Sequence, residues 1–197
     1  SLTASAIYVL NDYRDIEDDK LHPTKKNRPL ASGVITKPQG LVIMMLLLVL
    51  GVALAASVSF ATMAILLGYV VMNIAYSFYL KQIAILDVTI IAVGFVLRIF
   101  VGSATTDTPL TMWIIIMTFL LALFMALAKR RDDVLIYQET GEKMRKVVGG
   151  YNLHFLDIAM AIMASVVIVA YTIYTTSFEV IASAQNEYLY VTTIFVI

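Results

Sequence analysis

The sequence predicts an all-α, polytopic bundle of transmembrane helices, and three observations carry that prediction. The chain is 60% hydrophobic, only 14% charged, and has a mean hydropathy of +0.87, whereas a soluble domain usually carries about 25% charged residues. Its apolar residues form long runs rather than amphipathic stripes, each close to the roughly 20 residues that a helix needs to cross the hydrocarbon core. Its charges sum to zero yet are gathered into particular loops. Barrel strands are disfavoured by the same runs, because such strands are about ten residues long and alternate. The balanced charge gives no footprint for a nucleic-acid partner. With no cysteine, neither a disulfide nor a thiolate metal site can form.

The elements follow in order. An apolar stretch ending at Leu10 continues as helix through Asp19 and reads as a partial span. Leu21-His22-Pro23 ends it, because the residue before proline avoids the α region. Thr36 is the expected N-cap of the next helix, with Pro38 in its first turn. Complete spans are expected at 41–59, 61–80, 83–101, 110–128 and 153–175. Thr108-Pro109 repeats the cap-and-proline signature before the fourth, and Gly149-Gly150 breaks the chain before the fifth. Residues 129–146 are polar enough for a helix or loop at the membrane surface, and 188–197 make half a span. Gly94 and Gly102 are expected to let helices approach closely. The reading is five complete and two partial helices in a single transmembrane catalytic domain, 1–197, cut from a longer protein at both ends.

Charge placement sets the topology. Arg14, Lys20, Lys25, Lys26, Arg28 and Lys37 cluster in one loop and its flanks, Lys129, Arg130, Arg131, Lys143, Arg145 and Lys146 in another, and Lys81 sits in a short turn between. The intervening loops, near 58 and at 103–108 and 176–187, have no Lys or Arg. The positive-inside rule puts the basic loops in the cytoplasm.

The candidate site begins at Asn11-Asp12-Tyr13-Arg14-Asp15-Ile16-Glu17-Asp18-Asp19. Asp12, Asp15 and Asp19 stand at i, i+3 and i+7, one face of a helix, with Asn11 beside them. Three carboxylates on one stripe repel unless a cation sits between them. Mg²⁺, a hard ion that takes oxygen ligands and bridges to phosphates, is the natural one. The following loop, with Lys25, Lys26 and Arg28 between two prolines, is a candidate phosphate clamp. A second segment opens Lys129-Arg130-Arg131-Asp132-Asp133, with Lys129 and Asp133 on one helix face. Its balance is positive, and cations suit bound phosphates; Arg131, Lys143, Arg145 and Lys146 read as membrane anchors. Tyr76 and Lys81 could reach a phosphate at the membrane surface. Asp87 reads as an interfacial residue or as support for the site. Arg98, inside a span, should face the bundle interior with a partner. His22 and His154 read as interfacial, and Glu179 and Glu187 as solvated loop charges on the far side.

The run Asn11-Asp12, Asp15, Asp19 resembles the first signature of the UbiA superfamily of intramembrane prenyltransferases. The resemblance continues through Tyr76-Ser77-Phe78-Tyr79-Leu80-Lys81, Leu86-Asp87 and Leu97-Arg98 to the second segment. It is closest to the decaprenyl-phosphate phosphoribosyltransferase branch, at His22-Pro23-Thr24-Lys25, Arg28-Pro29 and Lys129-Arg130 with an acid at 133. Ordinary members carry a second acidic motif for Mg²⁺-diphosphate; here Lys129 stands where its first carboxylate would be.

The resemblance implies a helix bundle in a bacterial cell membrane with its active site facing the cytoplasm. It implies Mg²⁺-dependent transfer of a 5-phosphoribosyl group from phosphoribosyl diphosphate to a polyprenyl (decaprenyl-type) phosphate. Asp12, Asp15 and Asp19 would hold the metal. Asn11, Lys25, Lys26, Arg28, Tyr76, Lys81, Lys129, Arg130 and Asp133 would bind substrate. Prenyl transfer from a polyprenyl diphosphate to an aromatic acceptor is the alternative, and self-association stays open. A transporter or lipid scaffold gives no reason for three aspartates at the rim.

Overall fold

In the computed structural model the described residues are 1–22, 24–141, 146–177, 180–181, 188 and 191–192, with the side chains of Thr140 and Lys146 left aside. They form seven α-helices and no strand: α1 Leu2–Arg14, α2 Ile16–Leu21, α3 Lys37–Val58, α4 Phe60–Phe78, α5 Leu86–Thr106, α6 Met112–Thr140 and α7 Leu153–Thr176. Helices α3 to α7 are long and apolar enough to cross a membrane. They carry large exposed apolar side chains such as Leu46, Leu54, Val71, Leu121 and Ile162. Hydrocarbon, unlike water, makes that exposure favourable, and the chain is an integral membrane protein.

Local chemistry sets the helix ends. At α3 the Thr36 hydroxyl accepts from the Gln39 amide at 3.5 Å while the Gln39 side chain accepts from the Thr36 amide at 3.0 Å, a reciprocal cap, with Pro38 in the first turn. Ser59, extended at φ −161°, reverses the chain and caps α4 by accepting from Thr62 N–H at 3.0 Å. Thr111, not Thr108, caps α6, accepting from Ile114 N–H at 3.4 Å. Pro109 thus precedes the cap rather than opening the helix. Beyond residue 128 the chain stays helical: α6 runs on to Thr140 and stops at Gly141, whose φ of 72° suits a residue without Cβ. Asn152 caps α7, accepting from Phe155 N–H at 2.7 Å.

Helices pack in a chain, α3 on α4, α4 on α5, α5 on α6 and α6 on α7, with α1 against both α3 and α4. Because successive spans run in opposite directions, one end of the bundle gathers the C-termini of α1, α4 and α6 and the N-termini of α3, α5 and α7. Every candidate site residue is at that end. Of the two glycines expected at close approaches, Gly94 faces Met72 and Tyr69, whereas Gly102 has open space around it. The tight crossing is instead at Gly51, where a Cβ would lie 2.2 Å from Thr3 Oγ1 and 3.2 Å from Thr3 N. The expected half-span at 188–197 and the charges at 143, 145, 179 and 187 fall outside the described residues, apart from isolated positions.

Gly51→Ala should therefore lower the unfolding temperature in detergent, by an overpacking cost of about 1–3 kcal/mol. Gly68→Ala, where nothing lies within 4 Å, should leave it unchanged or raise it. Equal effects at the two sites would remove Gly51 from the α1–α3 contact.

Candidate active site

The helix expected to run unbroken through the acidic stripe is broken at Asp15, which has φ −100° and ψ 10°. Helix polarity explains the break. In one continuous helix Glu17, Asp18 and Asp19 would crowd a C-terminus, where the dipole is negative. Restarting at Ile16 puts all three in the first turn of α2, where the dipole favours them.

The break divides the three carboxylates between two cations. One Arg28 nitrogen, Nη1, donates to Asp12 Oδ1 at 2.8 Å and to Asp19 Oδ2 at 2.9 Å. Asp15 turns aside and accepts from Lys81 of the 3-10 turn Leu80–Gln82. In this arrangement the three aspartates do not converge on one point, and no group of three acidic or histidine side chains among the described residues is arranged to hold a metal. The donor set nevertheless fits Mg²⁺ in a narrower way. Asp12 and Asp19 aim two carboxylate oxygens at one cationic point, and Mg²⁺ commonly takes one or two carboxylates, filling its shell with phosphate oxygens and water.

The other predicted residues gather around this point. Asn11 accepts from the hydroxyl of Ser77, which is fully buried on α4. Ser77 was missed as a site residue, although it follows Tyr76 in the very motif that carried the resemblance. His22 shapes the loop that carries Arg28: its Nδ1 accepts from the amides of Thr24 at 3.2 Å and Lys25 at 3.3 Å. Partial burial, then nearby Lys25, holds the His22 pKa below the ordinary value and keeps that acceptor neutral. Lys25 is half-buried in the loop and Lys26 exposed.

The second segment differs from expectation in which cation is central. Lys129 is exposed, whereas Arg130 is 1% exposed. Arg130 Nε donates to Asp87 Oδ2 at 2.5 Å and its Nη1 to Asp133 Oδ2 at 2.5 Å. Asp133 therefore serves Arg130 one helical turn away. Asp87, fully buried, is no interfacial residue but the fixed counter-charge of Arg130. Tyr151 completes the group, donating to Asp87 Oδ1 at 2.5 Å and accepting from Ile85 N–H at 2.6 Å. Burial and the neighbouring Asp87 push its phenol well above the ordinary range, so it remains a donor. Tyr76 is buried too.

Arg98 does face the interior. It donates to the Tyr69 hydroxyl at 2.8 Å and lies 5.8, 5.4 and 5.1 Å from the ring centres of Tyr8, Tyr69 and Phe95. Its partners are aromatic and neutral. Arg131 pairs with Asp157 at 2.6 Å on the surface between α6 and α7.

The Arg130 group can be tested apart from any reaction. Asp87→Asn strips a buried guanidinium of one of its two carboxylates and should destabilise the protein by about 3 kcal/mol. Replacing all three charges together, Asp87→Leu, Arg130→Met and Asp133→Leu, should cost less than that single change. Thermal unfolding in detergent reads both, and a harmless Asp87→Asn would contradict the pairing.

Comparisons with known proteins bear on the family and the fold. A model of the UbiA prenyltransferase family matches residues 1–196. Decaprenyl-phosphate phosphoribosyltransferase of Mycolicibacterium smegmatis is 34% identical over 177 residues, 89% of this chain and 55% of that protein. Its counterpart in Mycobacterium tuberculosis is 31% identical over 171 residues, 87% and 57% of the two chains. The chain thus spans about half the length of the curated relatives it matches. A solved UbiA homolog from Archaeoglobus fulgidus, bound to DMAPP and Mg²⁺, has the same fold, with a TM-score of 0.76 over 98% of this chain and 70% of that one at 18% identity. The chain belongs to the UbiA prenyltransferase family.

Proposed function

We propose that residues 1–197 belong to one catalytic membrane unit that moves a 5-phosphoribosyl group from phosphoribosyl diphosphate to a polyprenyl phosphate of the decaprenyl type. One observation carries the reading. The first segment aims two carboxylates at a single cationic point, while the second commits Asp133 to the buried Arg130 and presents Lys129 instead of another acid. Such a site suits one metal-bound diphosphate and a further phosphate held by cations. Prenyl transfer with two acidic metal motifs would call for a carboxylate where Lys129 stands. The names of the relatives at 31–34% identity support the same choice.

In this reading Asp12 and Asp19 hold Mg²⁺ on the donor diphosphate. When bound, the ion neutralises charge on the leaving group and fixes its orientation. Asp15 holds Lys81 at the edge of that site, where its ammonium can donate to a non-bridging diphosphate oxygen, as can Arg28. Asn11, fixed by Ser77, supports the same wall. Lys25, Lys26 and Lys129 offer positive charge to the 5-phosphate and the lipid phosphate, and Asp133 orients Arg130. Tyr76, buried at the end of α4, would contribute its hydroxyl to a phosphate there. An oxygen of the lipid phosphate attacks the anomeric carbon, and the bond from that carbon to the diphosphate oxygen breaks with its electron pair leaving on diphosphate. The attacking phosphate is already anionic near neutral pH, so the chain needs no general base. The positive-inside pattern of the basic loops supports a site facing the cytoplasm, and the bacterial relatives support a bacterial membrane.

The test uses membranes carrying the full-length protein, Mg²⁺, labelled phosphoribosyl diphosphate and polyprenyl phosphate. Label should enter the organic-extractable lipid, and Asp12→Asn should cut that transfer by about a hundredfold or more. Label that stays aqueous, while a polyprenyl diphosphate delivers its chain to an aromatic acid, would replace this reading by prenyl transfer.

A further inference from the structure

The α4–α5 connector holds a backbone conformation that its own sequence opposes. Ile85 lies at φ 71°, ψ −46°. This is the region of a γ-turn, rare for any L residue and least suited to a β-branched one. Residues held there cost about 1–3 kcal/mol and persist only where their surroundings over-determine them. Ile85 itself is exposed, so its side chain is not what holds the turn.

What holds it comes from the start of α7. The Tyr151 hydroxyl accepts from Ile85 N–H at 2.6 Å and donates to Asp87 Oδ1 at 2.5 Å. Asp87 is immobilised in turn by Arg130, and all three side chains are buried. Close packing adds to the grip: a Cβ at Gly150 would lie 3.0 Å from Ala84 Cβ, so the segment before Tyr151 presses directly on the connector. Four residues before Ile85 in the same connector is Lys81, whose ammonium meets Asp15 in the acidic site. The path from α7 to the site is therefore continuous, through Tyr151, the strained turn and Lys81.

We propose that Tyr151 is a positioning residue that sets where Lys81 meets Asp15 by holding the Ile85 turn in its strained form. It touches no reacting atom; it acts through the connector. Its kinetic consequence rests on the phosphoribosyl-transfer reading above, whereas its structural consequence does not. Without the hydroxyl, Ile85 relaxes to a negative φ and the connector carries Lys81 off its carboxylate. Glycine at 85 would take the same conformation without strain, so Ile85→Gly should compensate for the lost hydroxyl.

The experiment has two arms on the full-length protein in detergent or membranes. Hydrogen exchange in Tyr151→Phe should accelerate in segments 80–87 and 11–16 and stay unchanged in α3. In Tyr151→Phe with Ile85→Gly, protection of 11–16 should return. Kinetically, Tyr151→Phe should lower kcat/KM for phosphoribosyl diphosphate about tenfold, within the range for residues that orient others. The Tyr151→Phe, Lys81→Ala double variant should be no slower than Lys81→Ala alone. Uniform acceleration of exchange across all helices, unchanged exchange at 80–87, or multiplying effects of the two substitutions would overturn the proposal. The exchange arm needs no substrate: a loosened connector in a protein that turns over only prenyl diphosphate would retain Tyr151 as the positioning residue and refute the phosphoribosyl reading alone.

Discussion

Carboxylates brought together at the edge of a low-dielectric bundle must be neutralised, and the polar end of this protein is organised by that demand. Five acids take part in its less exposed ion pairs among the described residues: Asp12 and Asp19 on Arg28, Asp15 on Lys81, Asp87 and Asp133 on Arg130. Each cation comes from a different element: a loop, a connector and the long helix α6. The pairs therefore do structural work, fastening α1 and α2 to the loop, α1 to the α4–α5 connector, and α5 to α6. Within these pairs, five carboxylates face three cations. The same end also carries Arg14, Lys25, Lys26 and Lys129, so these pairs are a local grouping of acids within a basic surface.

The membrane accounts for the rest of the architecture. Lipid-facing apolar side chains give helices no reason to associate with one another, so close backbone approach and buried polar contacts must supply it. Gly51 against Thr3 supplies the first between α3 and α1. Arg98, among three aromatic rings and the Tyr69 hydroxyl, supplies the second deeper in the bundle. The strong polar pairing is kept at the other end, where the helices meet their polar connecting loops.

The spans and the acidic stripe were legible because they rest on short-range pattern: apolar run length and i, i+3, i+7 spacing. The reciprocal cap at Thr36 was partly legible for the same reason. What escaped was whatever depended on competition between local and distant forces. The stripe implied one helix, but dipole polarity favoured two, and Asp15 turned to Lys81, 66 residues away. Arg130 was singled out, yet its buried role depends on Asp87, 43 residues earlier. Tyr151 gave no signal beyond adjacency to a glycine pair, because a tyrosine beside a membrane surface is ordinary. The Ile85 strain is invisible in sequence, since β-branched residues argue against the conformation that the fold imposes.

In the proposed function Asp12 and Asp19 form the protein half of a metal-diphosphate site. The most direct measurement puts Mn²⁺ and inorganic pyrophosphate on the full-length protein and reads phosphorus hyperfine couplings by pulsed EPR. The account predicts bound Mn²⁺ with phosphorus in its coordination sphere, lost in Asp12→Asn and Asp19→Asn and retained in Asp132→Asn, whose exposed carboxylate lies outside the pairs. Unchanged affinity and couplings after both losses would contradict it.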